Sequence, residues 1–204
     1  ALGQTDVIAV DKTGTVTKNE LVVKEIYVDE KLFSVGGVGY EPKGEIELER
    51  ENIEPLNHPE LLLAGKIGAL CSGAHLALDN SLGAWKISGD PTEGATLVMA
   101  EKIGYRKADL EKEFIKVEEK PFDYKLKYHT TLYKEKDKYL LMTVGAPEEL
   151  LDISEKVWSH SRAHILTDER REKLKDIFVK MSERGLRVVA LGMKKMDEDN
   201  RIPE

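Results

Sequence analysis

The sequence predicts an α+β domain built on an antiparallel sheet flanked by helices. Strand-like and helical segments follow one another after residue 20 without the regular βαβ alternation of a parallel-sheet protein. The 204 residues are 41% hydrophobic and 34% charged, a composition typical of a globular domain that buries a core. The net charge of −7 argues against a nucleic-acid partner, which would require a basic surface.

The first elements are strands. The apolar run Val7–Val10 ends abruptly at Asp11, as a buried strand of the parallel type does. Beyond it, charged or glycine-containing turns separate three predicted strands: Leu21–Asp29, Lys31–Val35 and Gly44–Glu49. Apolar residues alternate with acidic ones in the last of these, which indicates a strand with one face in water.

Two helices follow. The first begins at Pro59, a favoured first position, and its apolar stripe consists of Leu62, Leu63, Ile67 and Leu70. The second has an Asp90 cap, proline and glutamate at its first and third positions, and a stop at Gly104.

The remaining chain returns to strands and ends with a long helix and a strand. We predict strands over Ile115–Glu119, Lys127–Tyr133 and Lys138–Thr143, and a short helix over Pro147–Leu151. A longer helix is capped by Thr167, runs to about Arg184 and is closed by Gly185, and a final strand covers Leu186–Met193.

Three other features have structural interpretations. The lone cysteine, Cys71, makes no internal disulfide and is expected to be an inert buried thiol in a helix, as in a reducing compartment. His160 and His164 have i, i+4 spacing, but without further ligands they indicate a solvated helix face rather than a metal site. No apolar stretch approaches the roughly 18 residues of a membrane span. We therefore expect a soluble piece, and one interpretation is that it was cut from something longer.

The segment Asp11-Lys12-Thr13-Gly14-Thr15 is suited to phosphoryl chemistry. A carboxylate directly after a parallel strand projects into the crevice where such sheets bind ligands, and glycine lets the backbone amides approach phosphate oxygens. Nucleophilic attack by Asp11 on a phosphoryl group would give an aspartyl-phosphate, with Mg²⁺ as counter-charge. An aspartate that simply caps a loop is the alternative.

This pentapeptide resembles the phosphorylation motif of P-type cation-transporting ATPases. The resemblance implies that Asp11 is the phosphorylated nucleophile, that Lys12 and Thr13 assist it, and that Asp11 and Thr13 help hold Mg²⁺. Residues 1–19 would then be a fragment of a Rossmann-like phosphorylation domain, and residues 20–204 the nucleotide-binding domain. Related soluble phosphatases carry a second aspartate where Thr13 stands, so slow hydrolysis of the acyl-phosphate is expected here.

Further segments resemble the same family in the same order, and they imply an ATP pocket formed by Glu93, Phe122, Lys127, Gly145 and Arg187. Glu93 would approach adenine and Phe122 would stack on it. Lys127 would line the same pocket, Gly145 would belong to the family's glycine turn, and Arg187 would reach toward the phosphates. Taken singly, Glu93 could merely complete a capping box, Phe122 could be core, and the two cations could be surface charges.

The family usually has lysine immediately before the Gly-Ala-Pro-Glu turn, where this chain has Val144. The missing cation on the expected pocket rim predicts weaker ATP binding, or compensation by Lys125 or another nearby cation. Replacing Val144 with lysine would then tighten ATP binding.

The resemblance also implies the partners, the location and the transported ion. The expected partners are ATP and the remaining phosphorylation, actuator and transmembrane domains of one pump, and the isolated piece would be a monomer that binds ATP without turnover. It would be a cytoplasmic part of a membrane protein. The segments Phe33–Val35 and Gly39–Glu45 resemble type II pumps, with calcium as a possible cargo. The alternatives are a soluble haloacid-dehalogenase-like phosphatase or phosphotransferase with a cap domain, and a stand-alone nucleotide sensor.

Overall fold

The computed structural model describes residues 20–196 and 201–202. Within them the chain is mixed α/β and its sheets are antiparallel, as predicted. The predicted strand at Val7–Val10, and with it the Rossmann-like fragment, lies outside the described residues.

The first sheet has four strands in chain order: β1 (Glu25–Val28), β2 (Lys31–Val35), β3 (Ile46–Leu48) and β4 (Glu51–Ile53). The β2 strand has the predicted bounds, and β1 and β3 confirm the predicted strands with shorter bounds. The three-residue β4 is an edge strand within an acidic stretch, so its charged side chains stay in water.

The second sheet has the order β12-β9-β8-β7, and its strands are β7 (Ile115–Asp123), β8 (Tyr128–Glu135), β9 (Lys138–Gly145) and β12 (Ala190–Met196). The predicted final strand began four residues too early. Ala190 pairs with Gly145, the last residue of β9, so the residues before Ala190 have no partner strand there.

Two antiparallel hairpins complete the strands: β5 (His75–Asp79) with β6 (Ala84–Ser88), and β10 (Lys156–Ser159) with β11 (Arg162–Ile165). Neither hairpin was predicted. The second one corrects the interpretation of His160 and His164 as a helix face. His160 lies in the hairpin turn with a positive φ of 50°, and His164 lies on β11 with its ring 6.3 Å from that of His160.

Five helices lie in the described part of the chain: α1 (Pro59–Leu70), α2 (Pro91–Ile103), α3 (Lys107–Glu113), α4 (Pro147–Ile153) and α5 (Asp168–Glu183). All but α3 were predicted. The apolar stripe of α1 is shifted, because Leu61 is fully buried while Leu62 and Leu63 are only half-buried.

The α2 helix forms where its termini predict. The Asp90 carboxylate accepts hydrogen bonds from the backbone N–H groups of Thr92, at 2.8 Å, and Glu93, at 3.1 Å. At the other end Gly104 adopts the left-handed conformation, with a φ of 114°. These caps fix the position of Glu93 in the first turn of the helix.

The α1 and α2 helices contribute side chains to two hydrophobic clusters. One cluster joins them to β1, β2 and β3 around the fully buried Phe33. The other joins them to the second sheet and includes Cys71, Tyr133, Met142 and Val144. The second sheet is therefore anchored through one face to the helix pair that carries Glu93. None of the described helices is long and apolar enough to cross a membrane.

Candidate nucleotide site

Strand register brings four chain segments together at one end of the second sheet. Asp123 at the end of β7 pairs with Tyr128 at the start of β8, and Tyr128 pairs with Gly145 at the end of β9. Gly145 in turn pairs with Ala190 at the start of β12. Phe122, Lys127 and Gly145 therefore lie at this end of the sheet. Arg187 lies three residues before β12, on the segment that leads into the same end.

Phe122 is not a core residue. Its side chain is 45% exposed, and its ring meets the ring of Tyr124 edge to face, with centroids 5.5 Å apart. Tyr124 itself is 90% exposed. An aromatic face in water at a strand end is available for stacking, so the core alternative for Phe122 is wrong.

The turn between β7 and β8 fixes Lys127. One oxygen of the Asp123 carboxylate accepts hydrogen bonds from the N–H groups of Lys125, at 2.6 Å, and Leu126, at 3.0 Å. These bonds lower the pKa of Asp123, with Leu126 contributing most. The turn leaves Lys127 with a positive φ of 57°, and its carbonyl accepts a hydrogen bond from Ala146.

The ammonium of Lys127 is already paired. It lies 3.0 Å from a carboxylate oxygen of Glu149 and 3.4 Å from one of Glu148, both in the first turn of α4. The bonds to Glu149 and then Glu148 raise the pKa of Lys127. The helix that follows the glycine turn thus supplies both acidic partners of Lys127, one of the two cations predicted for the ATP pocket.

Gly145 is required by close backbone approach. A Cβ atom there would lie 2.3 Å from the Cβ of Tyr128 and 2.6 Å from the carbonyl oxygen of Lys127. No other residue fits without moving β8. This glycine therefore keeps the turn that carries Lys127 tight against β9.

Glu93 is held by the chain segment that follows α1. Its carboxylate accepts a 2.6 Å hydrogen bond from the backbone N–H of Gly73, and its carbonyl accepts one from the hydroxyl of Ser72. The carboxylate thus bonds away from its own helix, and the capping-box alternative does not describe this contact. Burial raises the pKa of the Cys71 thiol, and the negative charges of Glu93 and Glu119 raise it further.

Arg187 is exposed on the segment leading into β12, and it makes no hydrogen bond or ion pair with any residue in the described ranges. An arginine left unpaired beside a sheet end can bind an anion through several donors. No hydrogen bond or ion pair within the described residues joins Glu93 to the other four predicted site residues.

The structure corrects the expectation for Val144. The residue is 8% exposed and belongs to the hydrophobic cluster around Cys71, so its side chain is in the core and not on a rim. Lys125, the suggested compensating cation, lies exposed in the β7–β8 turn.

The residue opposite Val144 was missed by the sequence reasoning. His129 on β8 is 5% exposed, and its Nε2 atom has no hydrogen-bond partner in the described part of the chain. Nothing in the local sequence distinguishes it from a surface histidine.

The predicted nucleophile segment, Asp11, Lys12 and Thr13, lies outside the described residues. Among those that are described, no group of three His, Cys, Asp or Glu side chains is placed to hold a metal ion. The residues expected to hold Mg²⁺ therefore stay a prediction from the sequence.

Residues 61–202 match the family model described as P-type ATPase, cytoplasmic domain N. The chain belongs to the P-type cation-transporting ATPase family. The match covers both the helix of Glu93 and the whole second sheet, and it does not favour the soluble phosphatase alternative.

Curated relatives are similar over nearly all of this chain. A calcium-transporting ATPase of Bacillus subtilis is 33% identical over 191 residues, which are 93% of this chain and 21% of the relative. Cation-transporting ATPase pma1 of Synechocystis is 32% identical, covering 97% of the chain and 22% of the relative. The human calcium-transporting ATPase type 2C member 1 is 31% identical over 93% of the chain and 20% of its own length. The chain thus spans about a fifth of these P-type ATPases.

Proposed function

We propose that the end of the second sheet binds ATP for a P-type cation pump. The observation that carries the proposal is the strand register, which puts Phe122, Lys127 and Gly145 at one sheet end with Arg187 leading into it. An exposed aromatic ring beside cations is the combination that a nucleotide requires, because a base stacks and its phosphates need positive charge.

Each residue has a distinct part in this proposal. Stacking of adenine on Phe122 would contribute roughly 1–3 kcal/mol. The Glu93 oxygen that Gly73 does not use would accept a hydrogen bond from the adenine amino group, contributing about 1.5–3 kcal/mol as a charge-assisted bond. Arg187 and Lys127 would offset phosphate charge. These contributions support roughly millimolar affinity.

In the intact pump, ATP held here would be presented to Asp11, whose carboxylate would accept the γ-phosphoryl group with assistance from Lys12 and Thr13. Mg²⁺, held by Asp11, Thr13 and ligands elsewhere in the pump, would supply counter-charge for the transferred group. The partners of the chain would be the remaining phosphorylation, actuator and transmembrane domains, and its place would be the cytoplasmic side of the membrane. Calcium is the proposed cargo, which the similarity to calcium-transporting ATPases supports.

Nuclear magnetic resonance titration of the 204-residue chain with ATP tests the site. We expect saturable shifts at the amides of Lys127 and Gly145, and a loss of affinity of about tenfold in Phe122→Ala. Ile115→Ala is the matched control, because Ile115 is an exposed apolar residue at the opposite end of the same strand. Equal ATP affinity in both variants would overturn the stacking assignment.

Phosphate release from ATP provides a second measurement. We expect the chain alone to bind ATP without turnover, because the family's remaining phosphorylation-domain motifs are not in this sequence. Pump-like release by the 204-residue chain would contradict the proposal. Release at that rate that survives Asp11→Asn would point to a different nucleophile.

A further inference from the structure

A second cleft lies outside the proposed nucleotide site and shares no lining residue with it. It encloses about 580 Å³ and is formed by three segments: the loop between β2 and β3, the β5–β6 hairpin, and the C-terminal end of α2. Small-molecule sites in proteins have volumes of about 300–1,000 Å³. The cleft is therefore large enough for an organic ligand.

The loop wall, which carries Pro42 and Lys43, is preformed. The carbonyl of Gly36 accepts a 2.7 Å hydrogen bond from the ammonium of Lys102 on α2. A Cβ atom at Gly44 would lie only 2.3 Å from that same carbonyl oxygen, so the two arms of the loop are in direct backbone contact. A wall fixed in this way loses little entropy when a ligand binds.

The hairpin wall is apolar. Trp85 on β6 pairs with Leu78, and Leu76 lies two residues before Leu78 on β5, so Leu76 and Trp85 share one face of the hairpin. An ion pair of 2.8 Å between Lys86 and Asp79 ties the two strands together. The half-buried indole of Trp85 therefore presents a flat apolar surface held on a fixed element.

The charged side chains of the cleft are unbalanced. The side chains of Lys43 and Arg106 make no hydrogen bond or ion pair with any other residue that the structure describes, although the chain as a whole carries a net charge of −7. Glu101 is the acidic residue of the lining, and burial raises its pKa while the nearby Arg106 lowers it. Two cations without ion pairs beside an indole leave an anion-binding surface.

We propose that this cleft binds a small amphipathic organic anion with a flat apolar body and one anionic group. The apolar body would lie between Pro42 and the Trp85 indole, and the anionic group would be bound by Lys43 and Arg106. Glu101 would select against ligands with several negative charges, since it adds a like charge within the same cleft. ATP, with its triphosphate, is therefore a poor ligand for this site.

The test uses 2-naphthoate as the probe and the 204-residue chain in a nuclear magnetic resonance titration. We expect saturable shifts at the Gly104 amide and the Trp85 indole, with the Trp158 indole unchanged as an internal control. Naphthalene-2-carboxamide, which keeps the body and lacks the charge, should bind at least fivefold more weakly. Equal binding of the two probes, or shifts that do not saturate, would overturn the proposal.

Paired charge-reversal variants distinguish recognition of the anionic group from nonspecific apolar binding. Lys43→Glu combined with Arg106→Glu should weaken naphthoate binding at least tenfold, whereas Lys112→Glu combined with Lys175→Glu, equally reversed in charge but outside the cleft, should not. Glu101→Gln should bind naphthoate more tightly. Unchanged affinity in the cleft double variant would overturn the proposal, as would cleft shifts caused by protein concentration alone, which would indicate a second copy as the occupant.

The outcome is independent of the proposed ATP site. Added ATP should shift Gly145 and leave Gly104 unchanged. Shifts at Gly104 with ATP in place of naphthoate would make the cleft a nucleotide site and overturn the amphipathic-anion proposal. Absence of ATP shifts at Gly145, with naphthoate shifts intact, would overturn only the proposed function.

Discussion

Lys127 donates to Glu149, with 3.0 Å between its ammonium nitrogen and the nearer carboxylate oxygen. Glu148 lies at 3.4 Å from the same nitrogen. Both carboxylates therefore already pair with the Lys127 ammonium. Both belong to the first turn of α4, where the helix dipole favours negative charge. A nucleotide phosphate that approaches Lys127 must therefore compete with two carboxylates.

Glu149→Gln should tighten ATP binding roughly two- to fivefold, the range expected for one exposed charge pair. The substitution leaves Lys127 with Glu148 as its one remaining charged partner among the described residues, and it removes a negative charge that repels phosphate. Isothermal titration calorimetry at low salt measures the change, because added salt screens exposed charges. Glu169→Gln, an acid in the first turn of α5, is the control. Equal affinity for wild type and Glu149→Gln would show that Lys127 does not contact the phosphates.

Gly145→Ala should destabilise the fold by about 1–3 kcal/mol, the cost of forcing atoms into a packed site. The new methyl group would lie within 2.6 Å of three backbone or Cβ atoms of Lys127 and Tyr128, none of which can rotate away. Urea denaturation measures the difference. Gly192→Ala, in the neighbouring strand β12, is the control because its nearest contact is an ordinary 3.7 Å. Equal stability of the two variants would contradict the close packing of β8 on β9.

Asp123→Ala should lower both the melting temperature and the affinity for ATP. The substitution removes the acceptor that organises the turn before Lys127, and Phe122 is its immediate neighbour. Because the pKa of Asp123 is lowered in the fold, its stabilising effect is present at neutral pH and is lost as the pH falls below about 4. Melting curves of wild type and variant should therefore converge in acid. A constant gap from pH 7 to pH 3 would contradict the assigned role of the carboxylate.

Elements with strong end signals could be predicted from the sequence. The α2 helix has an aspartate cap, a proline and a terminal glycine, and it forms between them. The β5–β6 hairpin was not predicted because its strands are only five residues long and its turn, residues 80–83, has none of the two-residue hairpin signatures. The start of β12 was misplaced because it depends on where β9 ends, a non-local constraint.

Some features of the candidate site could likewise be predicted from the sequence, and others could not. Motif reasoning selected Phe122 and Arg187, and the structure leaves both exposed. It did not find the pairing of Lys127 with two acids, since that contact needs the β8–β9 register and the start of α4 together. It also placed Val144 on a rim, because strand facing cannot be assigned without knowing which side of the sheet carries the helices.

Val144→Lys gives the sharpest test of that correction. A lysine on a pocket rim would tighten ATP binding at little cost, whereas a lysine among Cys71 and Met142 must place its ammonium in an apolar cluster. We expect a loss of about 3 kcal/mol or more in the free energy of unfolding, because an unpaired charge is strongly disfavoured there. Ile115→Lys, in the same sheet at a 63% exposed position, should cost less than about 0.5 kcal/mol. Urea denaturation of both variants measures these changes. A fully stable Val144→Lys chain that binds ATP more tightly would contradict the core position of Val144 and support the predicted position on the pocket rim.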